Sequence, residues 1–278
     1  MRELPLSHTS HLSRASDRSS SGLFITGTDT GVGKTCVASA MAAWYRARGV
    51  DVGVMKPIAT GGIMRGARLV AEDAEALALA AGSDDPPERI NPVCYRDPIA
   101  PYSAAIRAGR PVDWRGIDRA FEALTRRHPF VIVEGVGGLA VPLARRMTVI
   151  DLIRRLRLPV VVVARLRLGT ISHTLLTVER ACREGLDVLG VILNETEAPV
   201  EGAGRLAARS AVDVLTRWLT VPVCGPLRYR SSSATPWASA AWLERGVSPS
   251  RLRAWASSRC RKTGIATAAA SKEIVRNS

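Results

Sequence analysis

Along this chain, short runs of β-branched and aliphatic residues alternate with longer stretches in which apolar residues recur every third or fourth position. The first run, Leu23-Phe24-Ile25, stops at a glycine-rich turn and predicts a buried strand. Beyond the turn, Val37, Met41, Ala42, Trp44 and Tyr45 keep helical spacing up to Gly49, which reads as a C-terminal stop. The same alternation predicts strands over 52–55, 130–133, 160–164, 188–193 and 221–224. Helices are predicted over 73–81, 116–127, 148–157, 172–184 and 205–219, with a looser, proline-containing connection over 86–111.

Continuous apolar strands separated by amphipathic helices imply an α/β fold with a doubly wound, mostly parallel sheet covered by helices on both faces. The globular domain is read as residues 22–227, after a polar, irregular extension over 1–21. Past Leu227 the alternation ends, and serines, arginines and scattered tryptophans take its place. The tail over 228–278 is therefore left open between an irregular appendage and a small helical cap.

Composition agrees with one large domain: 278 residues, 46% of them hydrophobic, suffice for a full core. The charge needs more care. A net +14, from 39 Lys and Arg against 25 Asp and Glu, would ordinarily raise nucleic acid as a partner. From Arg228 onward, however, there are about ten basic residues against two acidic, so about half the excess lies in the tail. No nucleic-acid recognition motif accompanies it, and neither nucleic acid nor membrane is expected as a partner. No apolar run approaches the ~20 residues of a membrane helix, and no secretory core is present, so a cytoplasmic enzyme is expected. Five cysteines without a C-x-x-C pair read as reduced thiols.

The turn after the first strand carries the chemistry. Residues 27–35 read GTDTGVGKT, between a predicted strand and a predicted helix, where α/β sheets cradle phosphates. Gly31, Val32 and Gly33 offer backbone N–H groups to phosphate oxygens. Lys34 offers a point charge to the β- and γ-phosphates, and Thr35 a hydroxyl to magnesium. The common G-x-x-x-x-G-K-[ST] spacing would put its first glycine at Thr28, whereas this chain has it one position earlier, at Gly27. Of the four lysines, only Lys34 and Lys56 fall within 22–227, and Lys56 follows a strand in MKPIATGG. There it would project toward a transferred phosphoryl group. Glu134 follows the run 131–133 in EGVGGLAVPL, where a carboxylate for magnesium or water is needed. Asp73 opens a helix and admits a second reading, a first-turn acid favoured by the helix dipole.

Taken together, GTDTGVGKT, KPIATGG, DAEALAL, EGVGGLAVPL, LGTISHTLLT and VILNE over 22–227 resemble the dethiobiotin synthetase family. The resemblance implies closure of a ureido ring from 7,8-diaminopelargonic acid, carbon dioxide and ATP, giving dethiobiotin, ADP and phosphate with Mg2+. It implies Thr35, Asp73 and Glu134 as the metal set, with Lys34 on phosphate and Lys56 bridging carbamate and γ-phosphate. Thr30 and Thr60 match hydroxyl positions at the carbamate and substrate, and Gly135, Val136 and Gly137 join the nucleotide site. Asn194 matches an adenine-reading amide, whose donor and acceptor suit a purine edge.

The resemblance also implies a homodimer, in which Gly169, Thr170, Ile171 and Ser172 of one subunit hold the substrate carboxylate of the other. Ser172 stands where the family often has Asn, and Pro226-Leu227-Arg228-Tyr229 departs from the family's base-closing segment. Two alternatives remain at this point: a P-loop amide-forming ligase of the cobyrinate type, and a partitioning-type ATPase switch.

Overall fold

Every residue of β1 (Gly22–Gly27) is buried, and its side chains divide between two separate cores. Leu23 and Ile25 face one core while Phe24 faces the other, as the two-residue period of a strand covered on both sides demands. The computed structural model describes residues 22–198, 203–229 and 240–257. The predicted extension over 1–21 and the tail residues 230–239 and 258–278 lie outside the described residues.

From β1 the chain enters α1 (Lys34–Arg46), then β2 (Val52–Met55), β3 (Ile58–Ala59) and a hairpin of β4 (Ile63–Arg65) with β5 (Arg68–Val70). Next come α2 (Glu72–Ala81), α3 (Pro87–Ile90), β6 (Val93–Cys94), α4 (Pro101–Arg107), α5 (Trp114–Arg127) and β7 (Phe130–Gly138). A small antiparallel pair, β8 (Pro142–Ala144) and β9 (Met147–Thr148), leads into α6 (Val149–Leu156) and β10 (Val160–Arg165). The chain closes with α7 (Thr170–Arg183), β11 (Val188–Asn194), α8 (Ala203–Trp218), β12 (Val223–Leu227), α9 (Ala240–Glu244) and α10 (Pro249–Ala256).

Six strands form one parallel sheet in the order β12-β11-β10-β1-β7-β2. The chain winds from β1 to β2 and β7 on one side, then returns to β10 on the other. The carboxyl end of β1 is thus the switch point where such sheets bind ligands. Helices α1 and α2 cover the Leu23 face, while α4 to α8 contribute to the Phe24 face. This is the doubly wound fold expected from the sequence.

Several boundaries differ for physical reasons. The proline-containing connection over 86–111 holds α3, β6 and α4, two of them opened by proline at a helix start, where its missing N–H costs nothing. The last strand is β12 rather than 221–224, because its ladder with β11 pairs Val191 with Val223 and Asn194 with Leu227. Helix α7 starts at Thr170, two residues before the predicted 172, after Gly169 at φ 90° turns the chain.

Strand β7 does not stop at Val133. It continues through Glu134 to Gly138, so that Glu134 lies within the strand rather than after it. The ladder pairs Ile25 with Glu134 and next Gly27 with Gly138, leaving an irregularity on β7 in which Gly137 takes φ 59°.

The described part of the tail is helical. Helices α9 and α10 bury Trp242, Leu243, Leu252 and Trp255 on the same face as α1. Trp44 Nε1 donates to Glu244 at 2.7 Å, Tyr45 Oη donates to the Leu252 carbonyl at 2.6 Å, and Gly225 N–H donates to the Gly246 carbonyl at 2.8 Å. This segment therefore ties α1, the helix after the glycine-rich turn, to β12.

Candidate active site

The turn between β1 and α1 folds back over its first glycine. Thr28 N–H donates to the Val163 carbonyl at 2.9 Å, and Lys34 Nζ donates to the Asp29 carbonyl at 3.1 Å. A Cβ on Gly27 would sit 2.8 Å from the Asp29 oxygen and 3.2 Å from Lys34 Nζ. The glycine is thus needed at 27, where the lysine crosses, which accounts for its position one residue earlier than in the common spacing. Gly33, at φ 89°, precedes α1, and a Cβ there would lie 2.1 Å from Asn194 Nδ2. The turn presents its N–H groups at the amino end of a 13-residue helix, an electropositive cradle.

Behind the cradle lies a cluster of four charges and a hydroxyl. Lys56 Nζ donates to Glu134 Oε1 at 2.6 Å and to the Gly135 carbonyl at 3.2 Å, and pairs with Asp73 Oδ2 at 2.8 Å. Lys56 is only 3% exposed and Glu134 1%. Thr35 Oγ1 lies 2.9 Å from both Asp73 Oδ1 and Glu134 Oε1. Lys34, Thr35, Lys56, Asp73 and Glu134, drawn from α1, the end of β2, α2 and β7, therefore converge on one point.

The electrostatics follow from burial. Burial acts to lower the Lys56 pKa, yet Glu134 and Asp73 beside it hold the ammonium above the usual lysine range. Burial pushes the Glu134 carboxyl up against the pull of Lys56, with Asp73 adding to the rise. Asp73 also feels burial, but Lys56 and the Thr35 hydroxyl hold it below the usual carboxylate range. Burial, then repulsion from Lys56, brings Lys34 down to about 8.

The remaining predicted residues take distinct places. Thr30 is exposed on the turn, and its Oγ1 would lie 3.5 Å from a Cβ on Gly137. Gly135 and Gly137 allow β7 to pass Phe24 and Val141, which a Cβ at each would meet at 2.7 Å and 2.6 Å, and Val136 packs on the Phe24-side core. Thr60 is half-buried immediately beyond β3. Gly169, Thr170, Ile171 and Ser172 form the cap and first turn of α7, beside the carboxyl end of β10; Thr170 is buried and Ser172 exposed.

Asn194 closes β11 and is buried. Its Nδ2 already donates to the Val32 carbonyl at 3.0 Å, leaving the buried Oδ1 without a partner. Nδ2 keeps a second hydrogen, so the amide retains a donor as well as the unpartnered acceptor.

Sequence reasoning missed Arg165, Asn91 and Glu195. Arg165 ends β10 and donates to the Thr30 carbonyl at 3.3 Å; Asn91 Nδ2 donates to the Lys56 carbonyl at 2.6 Å. Glu195 accepts from Arg228 Nη1 at 2.8 Å and from Tyr229 N–H at 3.2 Å, tying the segment after β12 to the end of β11. For Arg165 and Glu195 the only available signal was position at a strand end; for Asn91 there was none.

A parallel, doubly wound sheet whose first turn is a Gly-Lys-Thr cradle facing a buried lysine and two carboxylates defines a P-loop nucleotide-dependent protein. The model of a family described as an AAA domain matches residues 21–236. The chain belongs to the ATP-dependent dethiobiotin synthetase family. It is 49% identical over 175 residues to the ATP-dependent dethiobiotin synthetase BioD of Anaeromyxobacter dehalogenans (strain 2CP-C), covering 63% of this chain and 77% of that protein. The protein of the same name from Endomicrobium trichonymphae is 43% identical over 177 residues, covering 62% and 78%. The one from Bacillus licheniformis is 39% identical over 207 residues, covering 73% and 84%.

Proposed function

We propose that this chain makes dethiobiotin from 7,8-diaminopelargonic acid, carbon dioxide and ATP, a step of biotin synthesis. One amine of the substrate takes up carbon dioxide and loses a proton to give a carbamate. A carbamate oxygen attacks the γ-phosphorus of ATP and ADP leaves. The second amine then attacks the mixed-anhydride carbon, phosphate departs, a proton is released and the ureido ring closes. The observation that carries this reading is Lys56, a buried ammonium held by Asp73 and Glu134 beside the Gly-Lys-Thr cradle. Phosphoryl transfer asks for charge neutralisation and alignment more than covalent help, and a fixed ammonium supplies both. The relatives' names favour neither the cobyrinate-type ligase nor the partitioning-type ATPase.

The donor set suits Mg2+. A hydroxyl has one hydrogen, so Thr35 cannot donate to both carboxylates, and Glu134 Oε2 is buried without a partner. Oxygens gathered in this way fit a hard cation that keeps several waters, and Thr35, Asp73 and Glu134 would hold it. Bound there, the ion would neutralise phosphate charge. Among the described residues no group of three or more His, Cys, Asp or Glu side chains is placed to hold a metal ion.

Lys34 and the N–H groups of Gly31, Val32 and Gly33 grip the phosphates, while Thr30 and Thr60 line the carbamate and substrate. Gly135, Val136 and Gly137 give the nucleotide a backbone wall. The nucleoside fits a cavity of about 840 Å³ lined by Arg165, Glu195, Thr196, Pro226 and Arg228, next to Asn194. Asn194, at the end of β11 and adjoining Glu195 of that lining, reads the adenine edge with an amide that carries both a donor and an acceptor.

The reading carries a homodimer with it, the first turn of α7 in one protomer holding the substrate carboxylate bound by its partner. No described helix is long and apolar enough to cross a membrane, and a cytoplasmic enzyme acting on small polar metabolites fits.

The test is phosphate release from Mg-ATP, with and without diaminopelargonate plus bicarbonate, while mass spectrometry follows dethiobiotin. Release that needs both additions and yields the ring product upholds the reading; release indifferent to them rejects it.

A further inference from the structure

A cavity of about 640 Å³, within the size range of small-molecule sites, lies between β5 and α2 on one side and α3 and β6 on the other. Leu69, Ala74, Ala78, Ile90 and Cys94 make its surface mainly apolar. The charged groups that reach it already have partners. Arg68 pairs with Glu88 at 3.7 Å and Glu75 with Arg65 at 3.1 Å, while Arg110 donates to the Cys94 carbonyl. Asp85 is taken by Ser83, Arg127 and His128 at 2.8 Å each. A charged guest would compete with these contacts, whereas a neutral apolar one would leave them in place.

No residue of the phosphate cluster lines this cavity, yet each wall is continuous with one half of that cluster. Ala71 and Ala74 belong to one wall and flank Asp73. On the other, the Ile90 carbonyl accepts from Lys56 N–H at 2.7 Å, and Asn91 Nδ2 donates to the Lys56 carbonyl at 2.6 Å. The two walls therefore carry the two ends of the Lys56–Asp73 pair, 2.8 Å apart.

We propose that this cavity is an effector site for a small, neutral, mostly apolar molecule, whose binding resets the spacing of the walls and with it the Lys56–Asp73 contact. Because the two walls hold one ion pair between them, its lysine buried and its aspartate half-exposed, a guest that fits one spacing better favours one state of that pair, and a ligand at the pair reciprocally favours or opposes the guest. Occupancy of the cavity does not depend on the proposed reaction. Its effector character rests on Lys56 and Asp73 belonging to the nucleotide site.

The probe is 2-naphthol, a neutral ring system, set against 2-naphthalenesulfonate, which carries a charge on the same rings. Both are titrated by fluorescence into the full chain and into Ala78→Phe and Ala78→Leu, which fill the cavity from α2. Melting and circular dichroism identify any variant that has lost its fold, and the milder Ala78→Leu serves if Ala78→Phe does. Saturable 2-naphthol binding is expected, about tenfold weaker for the sulfonate and for the variants. Saturating 2-naphthol is expected to move the Mg-ATP dissociation constant, read by calorimetry, about fivefold. Equal binding to the filled variants, preference for the sulfonate, absence of saturable binding, or an unmoved Mg-ATP constant would each overturn the proposal. None of these readouts uses dethiobiotin formation, so failure of the proposed reaction and failure of this inference are separately visible.

Discussion

Lys56 Nζ and Glu134 Oε1, 78 residues apart in the chain, meet at 2.6 Å with both side chains almost fully buried. Removing one member of such a pair strands the other charge away from water, so this contact couples stability to function. Lys56→Ala is expected to keep ATP binding, which the cradle supplies, and to lower kcat by about 100-fold or more. A melting curve taken alongside reports the cost of stranding Glu134. Unchanged turnover would remove Lys56 from the mechanism.

Lys34 predicts a pH dependence of nucleotide affinity. Its pKa of about 8 means that the free protein loses this charge as pH rises through that value. ATP is an anion and favours the protonated lysine, so affinity is expected to fall above about pH 8 and binding there to take up a proton. Calorimetry in two buffers of different ionisation enthalpy measures that uptake. A flat affinity between pH 7 and pH 9 would contradict the prediction.

Asp85 predicts an acid limb of stability. Burial acts to raise its pKa, but Ser83, His128 and Arg127 hold the carboxyl below the ordinary value. A depressed carboxyl contributes stability that is present above its unfolded pKa, about 3.9, and lost as pH falls through the folded value. Urea midpoints should therefore drop below about pH 4, less steeply in Asp85→Asn. At neutral pH the same substitution should cost about 1–3 kcal/mol, because His128, buried between Asp51 and Asp85, loses a charged partner.

The tail makes a prediction about folding. Trp255 is 3% exposed and packs on the core that includes α1, so Trp255→Ala is expected to cost about 3–5 kcal/mol and lower Tm clearly. Ending the chain after Tyr229 should do at least as much damage, since it uncovers Trp44 and Tyr45 and removes their hydrogen-bond partners. A truncated chain that melts with the full one would make α9 and α10 dispensable.

Much of the fold was legible in the chain because its signals are local. The run from Val160 to Val163 reads as a strand covered on both faces, and Gly-Lys-Thr between a strand and a helix reads as a cradle for anions. Asp73, Glu134 and Lys56 each stood at a predicted element end, so the sequence indicated the right rim of the sheet. The register of β12, the continuation of β7 through Glu134 and the packing of α9 and α10 on α1 were not readable, since each depends on what lies alongside rather than on the segment's own pattern.

The sequence by itself determined the parallel α/β order, the phosphate-binding turn and the residue types of the site, because periodicity and turn chemistry act over a few neighbouring residues. Tertiary structure alone decided that Lys56 sits between two carboxylates, that Asn194 donates to the Val32 carbonyl while its buried Oδ1 has no partner, and that α9 and α10 pack on the α1 side of the sheet. These are contacts between distant segments, and their distances and burial exist only once the sheet has brought the strand ends together.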